Sequence, residues 1–257
     1  PDFGEASVVE RFGQTRPRVL FAVDGYRYGG KAIDIQDKVA SVVGQLDSLE
    51  QTVMIPLLGN PLQLGHDWQQ VLASQPDAVL RFDPMGFNDP LYILYSSGTT
   101  GKPKCIVHGI GGTLLQHLKE HQLHCDIKPG ERVFYFTTCG WMMWNWLVSA
   151  LASGATLVLY DGSPFYPDGN ALWDLARDEG VSLFGTSAKY LDALHKQGYA
   201  PIKTHELPHL RLICSTGSVL SPEGFDYVYQ GIKQDVQLSS ISGGTDICGC
   251  FVAGDPT

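Results

Sequence analysis

The segment Tyr95-Ser-Ser-Gly-Thr-Thr-Gly-Lys-Pro-Lys104 gathers hydroxyls, glycines and two lysines in one short stretch. It follows Leu91-Tyr-Ile-Leu-Tyr95, an apolar run suited to a buried strand. Gly98 and Gly101 permit unusual φ values and let the backbone come close to an anion. Ser97, Thr99 and Thr100 offer hydroxyl donors, and Lys102 and Lys104 offer positive charge. Such a set can cradle a polyphosphate between backbone amides and cations. It is not the usual P-loop, because Ser96 stands where the first glycine belongs and Pro103 follows Lys102. The plainer reading is a polar surface loop.

A second cluster suggests different chemistry. His117-Leu-Lys-Glu-His121 fits the His-x-x-Glu-His order of some zinc peptidases. On a helix, His117, His121 and His124 share one face, which is ligand-like spacing. A zinc metalloenzyme built on His117, Glu120 and His121 is therefore an alternative. No further carboxylate ligand pattern follows, and the competing reading of this face is a solvated polar surface. Cys105, Cys125, Cys139, Cys214, Cys248 and Cys250 form no CxxC pair. A disulfide framework is not expected in so long a chain. Reduced, mostly buried thiols in a cytoplasmic protein are expected instead, with no structural metal.

Positioning these residues requires regular elements, and strand-like and helix-like patterns alternate along the chain. Strands are expected at Val19–Val23, Thr52–Leu58, Leu91–Tyr95, Arg132–Thr138, Ala155–Tyr160, Val181–Gly185, Leu210–Ser215 and Val236–Ile241. Helices are expected at Lys31–Gln45, Trp68–Ala73, Thr113–Cys125, Trp141–Ala152, Asn170–Glu179, Ala188–Lys196 and Pro222–Ile232. This order predicts an α/β fold of βαβ units, with mostly parallel sheets flanked by helices. So many strands suggest two sheet subdomains, with a boundary near residues 60–90. Val133 to Tyr160 carries no charge and exceeds the about 20 residues of a membrane helix. Gly140, Asn145, Ser153, Gly154 and Thr156 interrupt it, so it reads as strand, buried helix, turn and strand.

The bulk composition excludes some functions. Hydrophobic residues make up 44% of the 257, and charged residues 18%, which is enough for a well-formed core. The net charge of −9 argues against nucleic-acid binding, which needs a basic surface. The polar, charged start Pro1–Gly13 does not read as a secretory signal.

With these residues in view, the 95–104 segment resembles the phosphate-loop signature of the adenylate-forming superfamily. Two later segments match that superfamily in order and spacing. Ser215-Thr-Gly-Ser-Val-Leu-Ser-Pro222 resembles its adenine-binding turn, and Ile241-Ser-Gly-Gly-Thr-Asp246 resembles its strand-end phosphate and magnesium motif. Cys139-Gly-Trp-Met-Met-Trp-Asn-Trp146 and Leu159-Tyr-Asp-Gly-Ser-Pro164 look like the acetoacetyl-CoA synthetase branch. Acetyl-activating members usually carry a bulky Trp at the position of Gly243, so a glycine there implies room for a longer acid.

The resemblance implies ATP-dependent activation of acetoacetate, or another short acid, to an acyl-adenylate and then to a coenzyme A thioester. It implies that Ser97, Gly98, Thr99, Thr100, Gly101 and Lys102 meet the outer phosphates. Gly217 and Ser218 would line the adenine, Thr245 would bond the α-phosphate and Asp246 would hold Mg²⁺. The superfamily more often has Glu at the last position. Trp141, Met142, Met143, Thr216 and Gly243 would shape the acyl pocket, the competing reading of the Trp/Met cluster being plain core. The expected partners are small molecules, with no nucleic acid and no membrane, and the oligomeric state is not implied. The sequence reads as part of the large N-terminal domain, lacking the C-terminal lid and its catalytic lysine. A truncated, non-catalytic nucleotide-binding module is therefore the other alternative.

Overall fold

The computed structural model describes residues 3–96 and 101–256. Contacts divide the chain into two compact units. The first takes the residues up to Met85 with Ile93–Val107 and Asp161–Ser163. The second takes Gly86–Tyr92, His108–Tyr160 and the residues from Pro164 onward.

The first unit opens with α1 (Glu5–Thr15), β1 (Val19–Val23), β2 (Gly25–Tyr28) and β3 (Lys31–Asp34). Next come α2 (Gln36–Gly44), β4 (Gln51–Ile55), β5 (His66–Asp67) and α3 (Trp68–Ala73). β1, β4 and β5 form a parallel sheet, and β2 and β3 form an antiparallel hairpin. A small core of Ile35, Val39 and Met54 lies beneath. The helix expected from Lys31 begins only at Gln36. Gly29 and Gly30 take left-handed φ values of 55° and 78°, turning Lys31–Asp34 back as a strand.

β6 (Pro90–Ser96) and β7 (Lys104–Gly109) pair with each other on either side of the glycine loop. Within the first unit the Thr15 hydroxyl lies 2.9 Å from the Tyr95 hydroxyl. Gln14 Nε2 donates to Pro103 O at 3.0 Å, so α1 touches β6 and the residue that leads into β7.

The second unit continues through α4 (Ile110–Lys119), β8 (Arg132–Tyr135), α5 (Met142–Ser149) and β9 (Thr156–Val158). It proceeds through α6 (Ala171–Asp178), β10 (Leu183–Ser187), α7 (Ala188–Lys196), β11 (Leu212–Thr216) and α8 (Pro222–Tyr227). It ends with β12 (Gln237–Ser240), β13 (Ser242–Gly244) and β14 (Gly249–Val252). Five parallel strands stand in the order β12-β11-β10-β8-β9. Their runs are apolar on both faces because each face is covered. One face packs Trp173, Phe184, Leu191 and Ile213, with Trp173 stacked on Phe184 at 4.5 Å between centroids. The other packs Val133, Trp146, Leu183, Leu212 and Cys214. Each such fully buried side chain contributes about 1.5–3 kcal/mol. Gly185 has a packing reason, since a Cβ there would lie 2.0 Å from the Tyr135 ring.

The uncharged stretch after Val133 becomes β8, α5, a short 3-10 turn and β9. Among the described residues, no helix is long and apolar enough to cross a membrane. None of the six cysteines is in a disulfide; Cys125, Cys214, Cys248 and Cys250 are buried, but Cys105 and Cys139 are exposed.

Candidate active site

Strand order makes one edge of the five-stranded sheet special. From β8 the chain passes to β9 on one side, then returns to β10 on the other. At such a switch the connections diverge and leave a crevice outside the carboxyl ends of the strands, where α/β folds bind ligands. Three of the sequence-marked segments leave from this edge: Trp141–Met143 after β8, Thr216–Ser218 after β11, and Ser242–Asp246 after β12.

The last two are fastened together. Ile241 N donates to Ser215 O at 2.7 Å, and the Thr216 hydroxyl donates to Ile241 O at 3.3 Å. Gly217 takes φ 85°, the left-handed region, and nothing lies within 4 Å of where its Cβ would be. The turn therefore needs glycine for its backbone and presents an open face. Ser218 is exposed beside it. Farther on, the Ser221 hydroxyl caps α8 by accepting from Gly224 N at 3.2 Å, with Pro222 as the first helical residue.

β13 and β14 form an antiparallel hairpin whose turn is Thr245–Cys248. Thr245 O accepts from Cys248 N at 3.2 Å and from His108 Nε2 at 2.8 Å. Asp246 is exposed at the tip. A Cβ at Gly243 would lie 2.0 Å from Gly249 O and 2.8 Å from Cys250 Cα. The missing side chain at Gly243 thus has a local cause, the close approach of the two strands.

Trp141 is 65% exposed. Met142 and Met143 lie half buried against the second face of the sheet. Lys102 is exposed, and Gly101 has φ 137°. Ser97, Gly98, Thr99 and Thr100 lie outside the described residues.

The helix that follows β7 departs from both sequence readings. His117, Glu120 and His121 are fully buried, not a solvated face. The zinc reading fails on geometry as well. His117 Nε2 donates to Cys248 O at 2.6 Å, and His117 Nδ1 lies 2.8 Å from the Ser149 hydroxyl. Glu120 accepts from Gln116 Nε2 at 2.6 Å, Cys250 N at 2.8 Å and Trp146 Nε1 at 2.8 Å. His121 packs edge-on to the Trp146 ring, 4.2 Å between centroids. Burial, followed by the His117 charge, pushes its pKa down to about 3, so it stays neutral. Burial likewise lowers that of His117. Among the described residues, no three His, Cys, Asp or Glu side chains are grouped to hold a metal ion.

Sequence reasoning missed His108 and the burial of the α4 face. Residues far along the chain cover that face: Cys248 lies 131 positions from His117.

The AMP-binding enzyme family matches residues 1–257. Acetoacetyl-coenzyme A synthetase of Rhizobium meliloti (strain 1021) is 58% identical over 262 residues, covering 100% of this chain and 40% of that protein. Acetoacetyl-CoA synthetase of Danio rerio is 45% identical over 268 residues, with the same coverage of 100% and 40%. Among solved structures, acetoacetyl-CoA synthetase from Streptomyces lividans matches with a TM-score of 0.94 at 48% identity, over 100% of this chain and 40% of that one. The chain spans about 40% of the length of the curated relatives it matches. The α/β fold, with its parallel sheet and flanking helices, is that of the matched part of the solved structure.

Proposed function

Because this chain belongs to the AMP-binding enzyme family, we propose that it carries the ATP- and acid-binding part of an acetoacetate–coenzyme A ligase. The observation that carries this reading is the fastening of the Thr216–Ser218 turn to the start of the Ser242–Asp246 hairpin, at the carboxyl edge of two adjacent parallel strands. That edge offers one open turn for a flat base and one exposed carboxylate for a phosphate-bound cation. The names of the relatives favour acetoacetate as the acid.

The acid's carboxylate oxygen attacks the α-phosphorus of ATP. The bond from that phosphorus to the bridging oxygen breaks, and pyrophosphate leaves. The coenzyme A thiol then attacks the acyl carbonyl, loses its proton, and AMP leaves. The first step needs no protein nucleophile, so the residues act by positioning and by stabilising charge. Gly217 and Ser218 seat the adenine, and Thr245 donates to the α-phosphate. Ser97, Gly98, Thr99, Thr100, Gly101 and Lys102 hold the outer phosphates. Trp141, Met142, Met143, Thr216 and Gly243 wall the acyl chain at the sheet's switch point.

Mg²⁺ prefers one or two carboxylates plus phosphate oxygens and keeps several waters. The single exposed carboxylate of Asp246 fits that demand, whereas a caged ion would need a cluster. The bound ion would neutralise charge on the phosphates. The two units would be two subdomains of one nucleotide-binding domain, in a cytoplasmic enzyme.

ATP–pyrophosphate exchange in the full-length protein tests this reading. Exchange that depends on acetoacetate and Mg²⁺ is the expected result. ATP binding with no exchange for any short acid would leave a non-catalytic nucleotide-binding module.

A further inference from the structure

The polar side chains on α4 and beside it share an unusual set of partners, the main chain of one later segment. His108 Nε2–H donates to Thr245 O at 2.8 Å, and His117 Nε2–H to Cys248 O at 2.6 Å. Cys250 N–H donates to Glu120 Oε1 at 2.8 Å, and His124 Nδ1–H donates to Gly254 O at 3.0 Å. Taken in order, these contacts grip the backbone of the β13–β14 hairpin at residues 245, 248 and 250, and the chain just beyond it at residue 254.

We infer that His117 and Glu120 are positioning residues, which hold the hairpin so that Thr245 and Asp246 stand in register with the turn after β11. The inference rests on the adenylation reading above. Three observations carry it beyond the contacts themselves. First, a side chain at the point where the helix meets the hairpin would displace the two groups that hold it. A Cβ at Gly249 would lie 2.7 Å from Glu120 Oε1 and 2.9 Å from Gln116 Nε2. Second, the helix departs from α geometry at this point. Glu120–His124 is a π turn, closed by Cys125 N donating to Glu120 O at 2.9 Å. Such turns are uncommon and recur at functional sites.

Third, the clamp side chains are themselves held. Gln116 and Trp146 fix Glu120. A carbonyl oxygen can only accept, so Nε2 of His117 must carry the proton. His117 Nδ1 lies 2.8 Å from the hydroxyl of Ser149, which itself donates to Asn145 O at 2.9 Å. These bonds lie out of water, where losing one partner costs more than at the surface.

The test uses the full-length protein with His117→Leu and the conservative His117→Gln, whose amide N–H can still reach the Cys248 carbonyl. Pyrophosphate exchange is followed against ATP and against acetoacetate. Deuterium uptake of residues 242–252 and thermal melting are read on the same samples. His117→Leu is expected to raise KM for ATP about fivefold. KM for acetoacetate should rise less than that for ATP, since of the five residues assigned to the acyl wall only Gly243 lies on the hairpin itself. Uptake across 242–252 should rise, and His117→Gln should restore both readouts.

A lowered melting temperature with the KM split unchanged would overturn the inference in favour of a merely structural role. An equal rise in both KM values would do the same. Should His117→Leu not accumulate as folded protein, Glu120→Gln decides by the same split. If the unmutated protein exchanges no pyrophosphate, the adenylation reading falls. The clamp is then judged on deuterium uptake, and unchanged uptake in His117→Leu rejects it.

Discussion

Gly243 and Asp246 share one hairpin and should fail in different ways. Gly243 lies against a carbonyl oxygen, so even a methyl group must push β13 away from β14. Gly243→Ala is expected to cost about 1–3 kcal/mol of stability. It should also lower exchange, because the displaced strand leads into Thr245 and Asp246. Unchanged melting with altered acid preference would show instead that the position only gates the pocket. Asp246 is exposed and touches no core. Asp246→Asn should leave melting unchanged but cut exchange by roughly a hundredfold, because it removes charge aimed at the phosphates. The need for glycine at 243 could not be seen in its own codon neighbourhood. It depends on Gly249, which approaches only once the hairpin has formed. Gly217 was more legible, since it sits in the turn expected just after the strand Leu210–Ser215.

At the scale of elements, α4 and its π turn behave as a buried polar device. His121 has a folded pKa of about 3 against an ordinary 6.5. The folded state therefore takes up a proton less readily than the unfolded state. Its contribution to stability is complete above about pH 6.5 and is lost as pH falls towards 3, by up to about 1.4 kcal/mol per pH unit. Burial shifts His117 in the same direction and adds to this acid limb. Urea midpoints should drop clearly between pH 7 and pH 4.5, and His121→Phe should flatten that drop. Equal slopes in both proteins would place the acid sensitivity elsewhere.

Another element-level support lies at the opposite end of the sheet. Arg211 donates to Cys125 O at 2.7 Å, to Asp126 O at 2.8 Å and to Glu131 Oε1 at 2.6 Å. It thereby pins the loop that leads out of the π turn. Arg211→Met should destabilise by about 1–3 kcal/mol, measured by melting, because two carbonyls and a part-buried carboxylate lose their donor. The helix spacing of the three histidines was plain in the sequence. That the face is dry was not, because the residues that cover it arrive more than a hundred positions later.

At the scale of the molecule, the two units are unequal in core. The second holds two large buried clusters around its five-stranded sheet, and the first a small one at Ile35, Val39 and Met54. Local opening follows the buried contacts that must be broken. Amides in residues 183–216 should therefore exchange with deuterium much more slowly than those in residues 19–55, and equal rates would contradict this. The same contrast explains what could be read in advance. β10, α7 and β11 announce themselves because both sheet faces and one helix stripe are apolar. The short β2–β3 hairpin lacks that pattern, and its signal was the Gly29-Gly30 pair. β13 and β14 are built from Ser, Gly and Cys and carry almost no periodic signal.

The grip on the hairpin falls on peptide groups, not on side chains, and this leaves a freedom. Thr245, Asp246 and Ile247 at the turn, and the exposed Phe251 and Val252, spend no side-chain atom on that anchorage. So long as Gly243 and Gly249 keep the strands close, those five positions can be rewritten while the loop stays where it is. A natural lineage, or a designed library, could revise the chemistry at this edge without rebuilding the frame beneath it.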